Sequence, residues 1–350
     1  MMQAFKKIPA LFLVAILLLT SCEEDPPVLN IPARYDIPVL LATDVTYYDL
    51  QEIHFKLDIA VFKGDNELNE VLDFTGLPDS SFKFSDYVVN GDSVKYFVDK
   101  VEYTNSESFD SFTSLILIDQ SSFPENFDST DYYNQRFQAF NAFYKNLNGQ
   151  GKVCFAYYNR KQNDGNVMKV INTELSDKWD ENIARALLDL THNQSGNSAL
   201  FDALDQAISF IASRGTENKS VTLFVRNKDD GLSNITLDNL ILKAKASNVK
   251  INIIWLIKDP VNVDGGTLRR LASSTGGFTV YMDKILQSNT VFLQLVRLLR
   301  METNFYRVTA RITIQPPTFF NQTRFNTRVA VYYYTSKYLT GNYIFFALEK

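Results

Sequence analysis

Asp119, Ser121 and Ser122 come almost directly after the four apolar residues Leu115–Ile118, and here residue type and position together suggest chemistry. An apolar run of that kind fits a central strand of a parallel sheet, buried on both faces. Ligands of open α/β sheets sit beyond the carboxyl ends of the strands, so a carboxylate and two hydroxyls just past Ile118 point to binding. Two other polar loops can join them: Thr191-His192-Asn193-Gln194-Ser195-Gly196-Asn197-Ser198, and Arg226-Asn227-Lys228-Asp229-Asp230-Gly231. His192 brings serine–histidine–aspartate chemistry with Ser121 or Ser198 into consideration. Neither serine sits in a nucleophile-elbow sequence, and His192 reads as a polar loop residue. Phosphate-cradling glycine loops and zinc-spaced Cys/His sets are absent. The expectation is a protein that is not an enzyme.

The elements that must hold these loops follow from periodicity. Tyr133, Phe137, Phe140 and Tyr144 lie on one face of a helix over 132–147, an aromatic stripe for core packing. Strands are expected at 152–158, 221–225, 249–256 and 278–281, and helices at 178–190, 198–213, 237–246, from 268, and over 291–299. Repeated strand–helix alternation predicts an α/β fold with a doubly wound, mostly parallel sheet flanked by helices. Residues 37–110 instead carry strand signals, with His54 as a structural residue within one of them. The strands 306–314, 328–334 and 343–348 follow the last helix. A three-strand piece with an apolar face needs a cover, so the two flanks are predicted to form one β-sandwich-like domain into which the α/β part is inserted.

Lys6 and Lys7 precede an apolar run over 10–19, too short to span a bilayer and right for a signal-peptide core. Leu19-Thr20-Ser21-Cys22 looks like the lipobox of bacterial lipoproteins, in which the cysteine is lipidated and becomes the mature N-terminus. Glu23-Glu24-Asp25 resembles the acidic export tag of surface-exposed lipoproteins in Bacteroidota. The expected location is the outer membrane, facing outward, with the bilayer reached through lipid on Cys22. Residues 22–36, rich in proline, read as a tether. Removing residues 1–21 takes away two lysines and no acid, which moves the net charge from −5 to −7. An acidic chain lacks the basic stripe that phosphate contacts need, so nucleic acid is not an expected partner. Cys154, inside an apolar strand, reads as a small buried hydrophobe.

Leu115–Ser121, Gly196–Leu204, Ala244–Trp255 and Leu268–Gly277 follow, in order and spacing, the pattern of von Willebrand factor type A domains, and the chain resembles that family over about residues 111–300. The resemblance implies a Mg²⁺ on an Asp-x-Ser-x-Ser loop, with a hydroxyl and an acid from two further loops. Asp119 and Ser121 match the first positions, Phe123 replaces the second serine, Ser198 stands at the threonine, and Asn227 replaces the acid with Asp229 and Asp230 close behind. The implied metal set is Asp119, Ser121, Ser198, Asn227 and Asp229, with His192, Asn197 and Arg226 as binding-loop residues. The expected organisation is a signal peptide (1–21), tether (22–36), β-rich segment (37–110), type A domain (111–300) and second β-rich segment (301–350). The expected function is adhesion-type binding of a protein, with a glycan second, at a lipid-anchored surface. The alternative is a structural subunit of an envelope assembly with an inert site.

Overall fold

The computed structural model describes residues 37–49, 51–65, 70–84, 87–89, 92–121, 135–159, 167–190, 196–214, 218–226, 229–256, 266–282, 287–315, 324–334 and 339–349. The expected signal peptide, tether and Cys22 lie outside the described residues, as do His192, Asn227 and Phe123.

The first segment is built of strands β1 (Ile37–Tyr48), β2 (Glu52–Asp65), β3 (Glu70–Asp73), β4 (Phe82–Lys83), β5 (Tyr87–Val89) and β6 (Asp92–Asn105). Alternation drives β2: Ile53, Phe55, Leu57 and Ile59 face one way and are buried, as period-two patterning requires. The middle of the chain contributes β7 (Thr113–Asp119), helix α1 (Gln135–Asn146), β8 (Lys152–Tyr158), β9 (Met168–Val170), α2 (Glu181–Leu190), α3 (Leu200–Ala212), β10 (Lys219–Val225), α4 (Leu237–Ala246), β11 (Val249–Leu256), α5 (Gly266–Thr275), β12 (Thr279–Met282) and α6 (Ser288–Arg300). The last segment is β13 (Asn304–Gln315), β14 (Arg324–Tyr334) and β15 (Leu339–Glu349).

Strands β8, β7, β10, β11 and β12 lie side by side in that order, all parallel, with β9 antiparallel at the outer edge of β8. Every residue of β7 is buried, as expected of a central strand covered on both faces. Its side chains alternate between two cores. Ile116 and Ile118 join Phe224 and Ile254 beneath α1 and α6. Leu115 and Leu117 join Leu223 and Ile253 beneath α3, α4 and α5. The chain therefore winds both ways from β7, and the direction of winding reverses between β7 and β10.

Strand β13 lies between β2 and β6, antiparallel to both, so the two flanking segments are one structure. Paired charges reinforce the seam: Arg307 Nε and Nη2 each donate to an Asp58 carboxylate oxygen at 2.8 Å. The short sheet β15-β14-β4 covers the apolar face, with Phe346 against Phe55 at 5.6 Å between ring centroids. This two-layer unit differs from a free-standing sandwich in one respect. Its larger layer runs on into the α/β sheet, because β1 pairs antiparallel with β12 through Val39 with Val280 and Leu40 with Thr279. Val39 has no exposed surface, and the edge of β12 gains a partner that a parallel crossover would not have supplied.

Cys154 sits in β8 with no exposed surface, and burial pushes its thiol up to about 12. Only the thiolate is reactive. In a fragment starting at Glu23, a disulfide reagent at pH 8 should titrate no thiol in the native protein and one after denaturation; a native reaction would contradict the burial.

Candidate functional site

Asp119 closes β7 and Arg226 follows β10, so both stand where the winding reverses, the usual crevice of an open α/β sheet. Asp119 is fully buried. Its Oδ1 accepts from the Ser121 backbone N–H at 2.9 Å and from the Ser121 hydroxyl, and its Oδ2 accepts from the Arg226 backbone N–H at 3.1 Å. The Arg226 guanidinium folds back inside. Nη2 lies 3.9 Å from Asp119 Oδ1 and donates to the Ser121 carbonyl, and the two side chains are 1% and 0% exposed. Gln120 continues the brace from the same loop, donating to the Leu190 carbonyl at the end of α2.

Ser198 arrives from the turn before α3 and is buried. The Tyr158 phenol, from the end of β8, lies near both Ser198 and Asp119. Burial, and then the Asp119 charge, hold it well above the ordinary tyrosine range, so it stays a neutral hydroxyl. Neither the Tyr158 hydroxyl nor Ser198 Oγ makes a hydrogen bond of good geometry among the described residues. Sequence reasoning missed Tyr158, because a tyrosine in a buried strand carries no signal that its hydroxyl will meet a loop from across the sheet.

Asp229 departs from its expected place among metal ligands. Its Oδ1 accepts from the Phe201 N–H at 3.1 Å and the Ser233 hydroxyl at 2.6 Å, and Oδ2 accepts from the Gly231 N–H at 3.0 Å. It stabilises the first turn of α3, where exposed N–H groups favour a carboxylate, and closes its own loop. Asp202, which the sequence did not single out, pins the same loop through the Asn234 and Ile235 N–H groups at 2.8 and 3.3 Å. Arg226, expected as a binding-loop residue, has its guanidinium in the interior. Asn197 alone of the expected binding residues is both described and exposed. Beside it the 229–233 loop is tied down by Asp230 N–H to the Ser198 carbonyl at 2.9 Å and presents Leu232, which is 52% exposed.

A divalent cation of the Mg²⁺ class needs several oxygens in near-octahedral array. The described residues do not fit one. Among the described residues Asp119 is the single carboxylate at the cluster, its oxygens are already engaged by three N–H or O–H donors, and a buried guanidinium of the same charge sign as the metal lies against it. Among the described residues no cluster of three or more His, Cys, Asp or Glu side chains is placed to hold a metal. Nor does the cluster fit nucleophilic catalysis, since Ser121 is 1% exposed and the carboxylate beside it is committed to Arg226.

No family model matches the chain. No curated protein matches it either. Among solved structures it is similar to a von Willebrand factor type A protein from Catenulispora acidiphila, at 10% identity over 90% of this chain and 74% of that one, with a TM-score of 0.42. It is also similar to the ArnB paralog VWA2 from Sulfolobus acidocaldarius, at 11% identity over 89% and 75%, with a TM-score of 0.37. A third similar structure is the pilus adhesin SpaC from Lactobacillus rhamnosus GG, at 6% identity over 75% and 48%, with a TM-score of 0.41. The structures it is similar to thus include von Willebrand factor type A proteins, and its own strand order and two-sided helices make it a doubly wound α/β protein with an antiparallel extension.

Proposed function

We propose that this is a non-enzymatic binding protein of the cell envelope that docks a protein partner on the loop end around Asn197 and Leu232, without a metal ion. The Asp119–Arg226 pair carries this reading. A carboxylate with no exposed surface does not touch a ligand; joined to an internal guanidinium, it braces the Asp119 and Arg226 loops from within. Contact then falls to the rim, where an exposed amide, an exposed acid at Asp230 and an exposed leucine lie on one tied-down surface. An apolar anchor within a polar rim is the composition of a protein-docking patch. Its acidic character suits a partner with basic or amide groups.

The anchor completes the proposal. Lipid on Cys22, followed by an acidic run and a proline-rich tether, would hold the folded part at the outer face of the outer membrane. Radiolabelled palmitate should enter the wild-type chain and not Cys22→Ser, and added protease should degrade the wild type on intact cells.

The docking surface is tested with a photo-crosslinking amino acid at position 197 or 232, and at Leu242 as an exposed control on α4. A discrete adduct from 197 and 232, absent from 242 and lost in Arg226→Met, is the expected result. Adducts from all three positions alike, or from none, would sink the docking surface. A stable envelope complex that persists in that second case would favour the scaffold reading, in which the braced loops are inert.

A further inference from the structure

The opposite end of the sheet holds a second feature, unrelated to Asp119. A cavity of about 450 Å³ opens where the starts of β10 and β11 meet the carboxyl end of α6 and the seam with β1, β6 and β13. Small-ligand pockets have volumes of about 300–1,000 Å³, with mostly apolar walls and a few placed polar groups. The walls here are Leu41, Phe278, Leu298, Leu299 and Phe305. Two polar groups at the cavity stand out.

Lys250, near the start of β11, has no carboxylate partner among the described residues. Its ammonium has two weak acceptors, Asn218 Oδ1 at 3.4 Å and Met301 Sδ at 3.3 Å, and lies 4.9 Å from the centre of the Phe109 ring. Burial pushes its pKa down, which shows that the cation is held partly out of water without compensation. Thr303 is 3% exposed. Its backbone is fixed on both sides by the Ser106 hydroxyl, at 2.9 Å from the N–H and 2.6 Å to the carbonyl, yet its own Oγ1 has no hydrogen-bond partner among the described residues. A buried hydroxyl and a half-buried ammonium, both short of partners, border one apolar space.

We propose that this cavity is a binding site for a small amphipathic monocarboxylate, its carboxylate on Lys250 and the Thr303 hydroxyl and its apolar body among Leu41, Phe278, Leu298 and Phe305. A single negative charge is what the site can take. The other cation at the wall, Arg307, is engaged bidentately by Asp58, and Glu107 at the cavity would oppose a dianion such as a phosphate monoester. Straight-chain fatty acids and arylalkanoic acids share this chemistry.

The test is calorimetric titration of the folded 23–350 chain with decanoate, with 3-phenylpropionate, and with decanol as the uncharged match. Saturable binding of at least one acid, with decanol at least about tenfold weaker, is expected, since a hydrogen bond to a charged group contributes about that factor or more. The preferred acid tells the two sources apart. Lys250→Met should weaken the acid by a similar factor, Lys250→Arg should keep most of the affinity, and Thr303→Val should weaken it severalfold, all with melting temperatures close to wild type. Absence of binding by both acids overturns the site. Equal binding of decanol and decanoate, or of a folded Lys250→Met and wild type, overturns the anionic anchor.

Discussion

Arg226→Met should lower the stability of the folded chain by about 3–5 kcal/mol, because it strands the Asp119 carboxylate in a site with no exposed surface. Removing one member of a buried pair leaves the other without compensation, and the desolvation already suffered by Asp119 is not returned. A fall in melting temperature of roughly 5–10 °C is the corresponding observable. The partner change Asp119→Ala should be damaging for the reciprocal reason. The double substitution should cost well under the sum of the two, as expected for groups that act as a unit. Magnesium gives the second readout. In the wild type, millimolar Mg²⁺ or Mn²⁺ should leave the melting curve where it is, since the guanidinium already neutralises the Asp119 carboxylate. In Arg226→Met that carboxylate lies beside the Ser121 hydroxyl without the guanidinium, and the metal should raise the melting temperature. A saturable wild-type shift that Asp119→Ala abolishes would show that a metal competes successfully with Arg226, and the metal-free reading would fall.

Gly277→Ala should be damaging for a different reason, steric and local. A methyl group there would meet the Ile251 carbonyl oxygen at 2.0 Å and its carbon at 2.5 Å, both backbone atoms of β11. The strand cannot retreat, because Ile253 N–H bonds to the Phe278 carbonyl at 2.9 Å and the Asn252 side chain accepts from Phe278 N–H at 3.2 Å. Overpacking against fixed backbone costs about 3 kcal/mol. Its neighbour separates space from conformation. Gly276 has φ +73 and open space around the position a Cβ would take, so Gly276→Ala should cost only about 1–2 kcal/mol, the left-handed penalty. Urea denaturation of the two variants side by side measures the difference. Equal costs would mean that the turn, and not the approach to β11, sets the requirement.

Local pattern carried much of the fold. Four apolar residues at 115–118 announced β7, and the helix expected over 237–246 is α4 residue for residue, because apolar spacing and the Thr236 N-cap agree. The β1–β12 pairing was invisible for a physical reason. Main-chain hydrogen bonds join Val39 to Val280 with no side-chain code to announce it. At the site, Asp119 accepts from the Ser121 hydroxyl, and the Tyr158 phenol lies near both Asp119 and Ser198. Arg226 did not read as internal, because an arginine after a strand usually stays in water, and its partner is 107 residues away in sequence. Asp229 misled for a related reason: a carboxylate near a binding loop and one that stabilises a helix start look alike until the helix is placed.

The position of β13 has a consequence for how the protein is made. Strands β2 and β6 leave a gap that only residues 304–315 fill, and the Arg307–Asp58 clasp spans 249 positions. As the chain emerges from N- to C-terminus, both edges must wait while the whole α/β region is synthesised, with β2 paired to β1 on one side and open on the other. Loop closure of that length is slow, and an apolar edge kept waiting is an invitation to pair with another chain. The protein thus depends on being held apart from its siblings until residues 304–315 exist.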